Sequence, residues 1–469
     1  MARVLMPAAA PQAQPINPKI KRSLEGSIPG ALLAFAAPGL AQILVQSLVA
    51  VSEILLVSRL GTDALAGISA VFPMTTLFVG ITTVGWGGGV VSAIARALGA
   101  GDRREAEALA MHAILLAVLF GLISAAILIW FAPQIFAALG AKREALDLAT
   151  SYANIVFGGS ISLWLLGSLT AIIRGTGDMQ SPARIAIYRA ALGVPLLALL
   201  IFGWGPLPAL GIRGAAVAML IYYTLGVVFM VVHLQSDASP IHLRLGGFEL
   251  RRDLILRILT VALPSSAQIL VANIALFALT ALVARFGTEA LAGYGLVARL
   301  ELLVSSLVLA FGAGTTTLVA TSVGAGAIAR ARRATFVSCA LAGAVFEAVG
   351  ICVALSGSWI AGLFSHAPHV VFASAGYFTA IGLVYGFLAA SMMLFAAYQG
   401  WGRAVPPLLV SLFRVAVVLL GGWIVLRQQP PRLEWLYGIV SLSFILAAMI
   451  LGAIFTFSPP KPHDRPVSG

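Results

Sequence analysis

The 469-residue sequence predicts an all-α polytopic membrane protein, with twelve transmembrane helices in two six-helix lobes related by a pseudo-twofold axis along the membrane normal. Three observations carry that reading. Hydrophobic residues make up 60% of the chain and charged residues 10%, with a mean hydropathy of +1.01, which leaves too little polar surface to disperse a water-soluble domain of this size. The chain also repeats itself: Pro38-Gly-Leu-Ala-Gln-Ile-Leu-Val45 returns as Pro264-Ser-Ser-Ala-Gln-Ile-Leu-Val271, and Arg59-Leu-Gly-Thr-Asp-Ala-Leu-Ala-Gly67 as Arg285-Phe-Gly-Thr-Glu-Ala-Leu-Ala-Gly293, both at an offset of 226. Gly99-Ala-Gly101 matches Gly324-Ala-Gly326, and Gly175, Gly177 and Pro182 match Gly400, Gly402 and Pro407, at an offset of 225. Finally, twelve apolar stretches each approach or exceed the ~20 residues that cross a bilayer.

Polar punctuation sets these stretches in order. The first (28–58) stops against Arg59, and the second (65–92) is followed by Arg96, Arg103 and Arg104. The third (107–132) precedes Lys142 and Arg143, and the fourth (149–173) ends at Arg174. Arg184 opens the fifth (185–203), and the sixth (211–235) begins beside Arg213. A polar segment rich in Asp, Ser, Pro, His and Arg then joins the copies. The seventh (254–284) lies between Arg252 and Arg285, and the eighth (291–322) runs to Arg330, Arg332 and Arg333. The ninth (334–356), tenth (370–397), eleventh (405–426) and twelfth (434–457) follow, with Arg403, Arg427 and Arg432 between the last three. Six spans per copy give both copies the same orientation, which places the axis along the membrane normal. The expected organisation is a tail over 1–27, an N-lobe over 28–235, a linker over 236–253, a C-lobe over 254–457 and a tail over 458–469.

Of the 29 Lys and Arg residues, 19 fall on the side of the N-terminus and seven on the other, with Arg189, Arg299 and Arg414 inside spans. That bias predicts cytoplasmic termini and a cytoplasmic linker in a cell (inner) membrane protein. It also accounts for the net charge of +12 through anionic headgroups. Charges dispersed over seven short segments form no nucleic-acid patch. Lys19, Lys21 and Arg22 follow a short Ala/Pro run instead of preceding a long apolar core, the wrong order for a cleaved signal peptide. Cys339 and Cys352 stand about 20 Å apart along one helix, too far for a disulfide.

Inside the spans, Gln42, Gln46 and Glu53 lie within roughly 40° of one another and give the first helix a polar face. Glu53 sits about 9 Å below Arg59, deep enough that its carboxylate faces protein, water or ligand. The bland alternative is a glutamate that snorkels to the interface or pairs with Arg59. In the second half, Arg299 and Glu301 of the eighth helix differ by about 200° and cannot both line one cavity. Either Arg299 faces a central cleft, or Arg299, Glu301 and Glu347 of the ninth helix form a structural ion cluster. Gly85-Trp-Gly-Gly-Gly89 reads as a helix-packing surface, and Trp164, Tyr377 and Tyr385 as core packing.

The repeated motifs resemble the multidrug and toxic compound extrusion (MATE) transporter family. They are a proline early in the first helix, an acidic residue six before Arg59-Leu-Gly-Thr-Asp-Ala-Leu-Ala-Gly67, Gly-Ala-Gly after the second helix, and Arg174-Gly-Thr-Gly-Asp178 with Pro182 after the fourth. Gly-Tyr-Gly-Leu-Val-Ala-Arg299-Leu-Glu301 looks like the form found in many prokaryotic members. The resemblance implies an antiporter that expels organic, often cationic, compounds by alternating access, driven by protons or sodium. Glu53 stands where members usually have Asp and Ser58 where Gly is usual. Acids that other members place in helices 5, 7 and 10 are missing around Val194, Asn273 and Leu388.

Glu53 is therefore the expected ion-coupling residue, with Gln42, Gln46, Gln268, Asn273 and Arg299 in the substrate and ion cavity. Arg174, Gly175, Gly177 and Asp178 are the expected gate motif. One carboxylate with two amides is a thin shell for sodium, which favours a proton. The expected partners are small organic molecules, H⁺ or Na⁺ and the bilayer, and the expected state is a monomer without cofactor or metal. Enzyme classes fare poorly: there is no Gly-Lys of a P-loop and no His-Glu-x-x-His zinc motif. The remaining alternatives are a membrane-embedded transferase, which needs converging acids or histidines, and a lipid-linked sugar flippase of related architecture, which needs a positively charged cavity. Exposed loops are too small for a scaffold.

Overall fold

The computed structural model describes residues 24–138, 140, 142–243 and 249–458. The expected tails, apart from residues 24–27 and 458, and residues 244–248 of the expected linker lie outside them. The described residues form twelve spans and no β-strand. Ten are single helices: α1 (Ile28–Leu60), α2 (Thr62–Gly99), α3 (Arg103–Ala138), α5 (Gln180–Phe202), α6 (Gly211–Gln235), α7 (Arg252–Ala284), α8 (Thr288–Gly324), α9 (Ile328–Gly362), α11 (Val405–Arg427) and α12 (Leu433–Phe457). Two are elbows: α4 joins α4a (Glu144–Gly158) to α4b (Ser160–Gly175) at 49°, and α10 joins α10a (Pro368–Gly382) to α10b (Tyr385–Gly400) at 55°. Both elbows follow a glycine, Gly158 and Gly382, where the missing side chain weakens the helix.

The repeated glycines have a backbone reason. Gly61 and Gly287, which link α1 to α2 and α7 to α8, have φ of 116° and 108°. Gly177 and Gly402, after the two elbows, have φ of 83° and 79°. Side chains disfavour such angles, so the turns of both copies require glycine at the same places.

Packing follows the repeat. In the N-lobe α1 packs on α5, α3 on α4b, α2 on α4a and α5 on α6; in the C-lobe α7 packs on α11, α9 on α10b, α8 on α10a and α11 on α12. Between lobes α1 lies on α8 and α7 on α2, so the first and seventh helices are central and not peripheral. Each changes partner at its proline. Before Pro38, the buried Ile28, Ala31 and Leu32 of α1 pack with Leu318, Leu394 and Tyr398 of the C-lobe, whereas Val49 and Val57 join the N-lobe core. Before Pro264, Leu254, Ile258 and Ala262 of α7 belong to the N-lobe core, and after it Leu279 and Val283 to the C-lobe core. A proline lacks the N–H of the helical ladder and clashes with the preceding turn, so the helix yields where it crosses between lobes.

The hydrogen bonds between lobes gather at the end that carries the linker, called here the linker face. Ser92 Oγ donates to the Gln399 carbonyl, Gln399 Nε2 to the Val84 carbonyl at 3.2 Å, and Arg96 Nη1 to the Gly400 carbonyl at 3.3 Å. Arg257 of α7 pairs with Glu105 of α3, and the Arg251 N–H donates to His112 Nε2 at 2.9 Å. Gly85 and Gly89 of the expected packing surface lie against the backbone of Ser266 and Ala262 in α7, and Gly88 against Gln399. Gly85 belongs to the segment Ile81–Trp86, which is wound as a π-helix, whereas Gly88 and Gly89 lie in the α-helical stretch that follows. Among the described residues no interlobe hydrogen bond lies in the opposite, far half.

Candidate functional site

Past Pro38, α1 turns its polar face into the N-lobe. Glu53 is 9% exposed, and its Oε1 accepts a hydrogen bond from the Tyr152 hydroxyl of α4a at 2.5 Å. The phenol stabilises a charge that burial would otherwise make costly. Tyr223 of α6 lies close enough to feel the Glu53 charge, and its ring meets that of Tyr222 at 5.6 Å. The guanidinium of Arg189 in α5 covers the Tyr222 ring at 4.3 Å. Glu53 thus neither snorkels nor pairs with Arg59: among the described residues its bonded partner is a tyrosine inside the lobe.

Gln42 is buried and its Oε1 accepts from Arg174 Nη2 at 2.8 Å. Arg174 belongs to the last turn of α4b and not to a loop, and its carbonyl accepts from Thr317 of α8 at 3.4 Å. The expected gate motif is therefore joined both to the polar face of α1 and to the other lobe. Asp178 caps α5, accepting from the N–H of Gln180 and Ser181, and lies 3.7 Å from His233. Gly177 supplies the left-handed turn between them and Gly175 packs on Ile94. Gln46 is half-buried; Gln268 has its buried Oε1 without a partner; Asn273 donates to the Ile269 carbonyl of its own helix at 2.8 Å.

The structure does not bring Arg299, Glu301 and Glu347 together as an ion cluster. Arg299 is exposed on α8, and among the described residues no ion pair joins it to either acid. Glu301 instead accepts from the Tyr377 hydroxyl of α10a at 2.7 Å, and Glu347 from the Gly386 N–H of α10b at 2.6 Å. The physical reason is the angular spread of Arg299 and Glu301 around α8, which leaves only the acid turned inward. Trp164 is packing: it stacks on Phe120 at 5.2 Å and meets Trp86 and Phe78 edge-on. Sequence reasoning missed Tyr152, Tyr223, Arg189 and Arg414 as members of lobe interiors. One sign was available, since Tyr152/Tyr377 and Arg189/Arg414 both stand at the repeat offset of 225. Among the described residues no group of three or more His, Cys, Asp or Glu could hold a metal ion.

Comparison with known proteins bears on the family and the fold. The MatE family model matches twice, over residues 38–199 and 264–424, more than half the chain, and each match starts at one of the two prolines. A protein of Shewanella oneidensis named FAD transporter is 28% identical over 403 residues, covering 85% of this chain and 88% of its own. The probable multidrug resistance protein NorM of Thermotoga maritima is 26% identical over 404 residues, 82% of each chain. Among solved structures, a MOP superfamily transporter from Pyrococcus furiosus has a TM-score of 0.86 at 23% identity, covering 95% of this chain and 99% of that one. A structure described as the outward-facing conformation of a multidrug resistance MATE family transporter has a TM-score of 0.84 at 23% identity, covering 95% and 98%. Members of this family move small molecules across membranes and are not enzymes. The chain belongs to the MatE family, as a multi-pass membrane transporter of the multidrug type.

Proposed function

We propose that the protein is an antiporter that exports lipophilic organic cations in exchange for protons, with Glu53 as the group for which proton and substrate compete. The observation that carries this reading is the carboxylate itself. Glu53 is the one charged residue between Ile28 and Ser58, it is buried on the α1 face that also bears Gln42, and its bonded partner is a neutral phenol and not a cation. Deprotonated, it attracts a cation strongly in a low-dielectric cleft; protonated, it releases it, and competition for one site makes the exchange obligatory. The linker-face contacts, with Arg174 and Thr317 among them, act as the gate that closes one side. A far half without such links corresponds to the state open to the outside, with termini and linker cytoplasmic in the inner membrane of a working monomer. Arg189 and Arg414 belong to different lobes and are stacked on Tyr222 and Phe444, which weakens the flippase alternative, since it needs positive charge gathered in one cavity.

The test is drug-induced ion flux in proteoliposomes under separate proton and sodium gradients. Proton movement opposite to a cationic dye is expected; flux that follows sodium alone would replace the coupling ion. One observation favours a second reading of the substrate, the relative named FAD transporter that matches over 88% of its length. Vesicles that move FAD and leave cationic dyes untouched would establish it.

A further inference from the structure

The repeat offset of 225 pairs Tyr152 with Tyr377 and Arg189 with Arg414, so both lobes hold a buried phenol and an arginine, buried in the N-lobe and half-buried in the C-lobe. The acid differs. Position 279, equivalent to Glu53 at the offset of 226, is a leucine, and the C-lobe carboxylate comes from α8 instead. Glu301 Oε2 accepts from Tyr377 Oη at 2.7 Å, the geometry that Glu53 and Tyr152 show in the other lobe. A carboxylate–tyrosine bond has thus been rebuilt from a different helix.

The surroundings of Glu301 are mostly phenols. Tyr294 of α8 and Tyr437 of α12 meet the Tyr377 ring at 5.5 and 5.0 Å, and Tyr385 of α10b is near enough to feel the Glu301 charge. From α11, Arg414 acts on Glu301 while covering the Phe444 ring at 4.5 Å. From α9, Glu347 is occupied by the Gly386 N–H. The central part of α7, which packs on α8 and α11, has no charged residue between Arg257 and Arg285. A cavity of about 370 Å³ opens at the far face between the starts of α10a and α12, lined by Phe372, Gly376, Arg432, Glu434 and Tyr437. Tyr437 belongs to both places: its ring touches Tyr377 while it lines the cavity, and its buried hydroxyl has no hydrogen-bond partner. An unpaired buried hydroxyl beside an open cavity is a place for water, and so for a proton relay.

We propose that Glu301, held by Tyr377, is a second proton-loading site, supplied from the far face through this cavity and not from the cleft between the lobes. The inference rests on the proton-coupled reading of the previous subsection. A proton suits the site better than sodium: a hard cation wants several oxygen ligands, whereas here there is one carboxylate, which already accepts a hydrogen bond from a phenol. The proton arrives from water in the cavity, converts the carboxylate to the neutral acid, and removes one negative charge from the C-lobe. Release of the proton restores it. The two states therefore differ in the net charge of the lobe, a change able to bias its packing against the N-lobe.

The experiment is an infrared titration of the full-length protein in lipid, reading the protonated-carboxyl band. Two titrating bands are expected, one lost in Glu53→Gln and the other in Glu301→Gln, with Tyr377→Phe shifting the second alone. Tyr377→Phe also covers the case in which Glu301→Gln fails to fold. Gly376→Leu, which fills the cavity, should slow proton exchange at the second band and not at the first. In proteoliposomes the protons moved per substrate should fall from two to one in Glu301→Gln. A second band untouched by Glu301→Gln and Tyr377→Phe, or equal slowing of both bands by Gly376→Leu, overturns the proposal. Absence of the Glu53 band with the Glu301 band present would instead overturn the assignment of Glu53 and leave this one standing.

Discussion

Arg174 and Gln42 are joined by a hydrogen bond of 2.8 Å, so the last turn of α4b grips the polar face of α1. The Arg174 carbonyl at the same time accepts from Thr317 of the opposite lobe. A single residue thus connects the elbow of α4, the helix that bears Glu53 and the seam between lobes. Arg174→Ala leaves the buried Gln42 oxygen unpaired, at a cost of about 1–3 kcal/mol. The expected result is a lower unfolding temperature in detergent and slower efflux, with Arg174→Lys recovering only part because it offers a point charge in place of a planar fork. Unchanged stability in Arg174→Ala would count against the link.

Glu53→Gln is expected to reduce gradient-driven efflux to the level of empty vesicles while expression and insertion hold, because Gln keeps the shape and loses the titrating group. Glu53→Asp should retain transport, at a reduced rate, since the shorter side chain still carries the carboxylate toward Tyr152. Efflux at the unaltered rate from a fully expressed Glu53→Gln protein would remove the residue from the mechanism.

Tyr152→Phe isolates the phenol. Its O–H stabilises the ionised form of Glu53, and a hydrogen bond to a charged group is worth about 1.5–3 kcal/mol. Without it the pH profile of exchange should differ from that of the parent, while Tyr152→Phe keeps the ring packing. A pH profile identical to that of the parent would show that the Tyr152–Glu53 bond takes no part in exchange.

Gly99 and Gly324 form a reciprocal contact at the linker face, where an added side chain would meet the backbone of Thr321 and of Arg96. Gly99→Leu and Gly324→Leu should push the lobes apart there. Spin labels at Arg104→Cys and Arg333→Cys, in a chain with Cys339 and Cys352 replaced by Ser, should report a longer distance than in the parent. An unaltered distance distribution in both variants would show that the seam tolerates bulk.

Pro264→Ala restores a backbone donor where α7 passes from the N-lobe core to the C-lobe core, and Pro38→Ala does so in α1. Each is expected to slow transport without lowering expression, and the double variant more than either, if both helices bend as the lobes rock. Equal rates in the double variant and the parent would mean that the crossings are static.

The fold was legible because its causes are local. Twelve apolar stretches, the 226-residue repeat and turns that need glycine at Gly61 and Gly287 are written in short windows of sequence, and solvation by lipid turns each stretch into a span. The polar face of α1 was legible too, since the angles among Gln42, Gln46 and Glu53 follow from helix geometry alone.

Partners were decided only in three dimensions. Nothing local to Glu53 names Tyr152, 99 positions away, or ties Gln42 to Arg174, 132 positions away. Nothing local to Arg299 and Glu301 shows that the acid turns to Tyr377 and Arg414 while the cation stays exposed. The repeat marks Pro38 and Pro264 as equivalent, and tertiary packing alone shows that the helix changes lobes at each. Helix formation answers to neighbours three and four residues away, whereas the pairing of buried polar groups answers to whichever helix the bundle brings alongside.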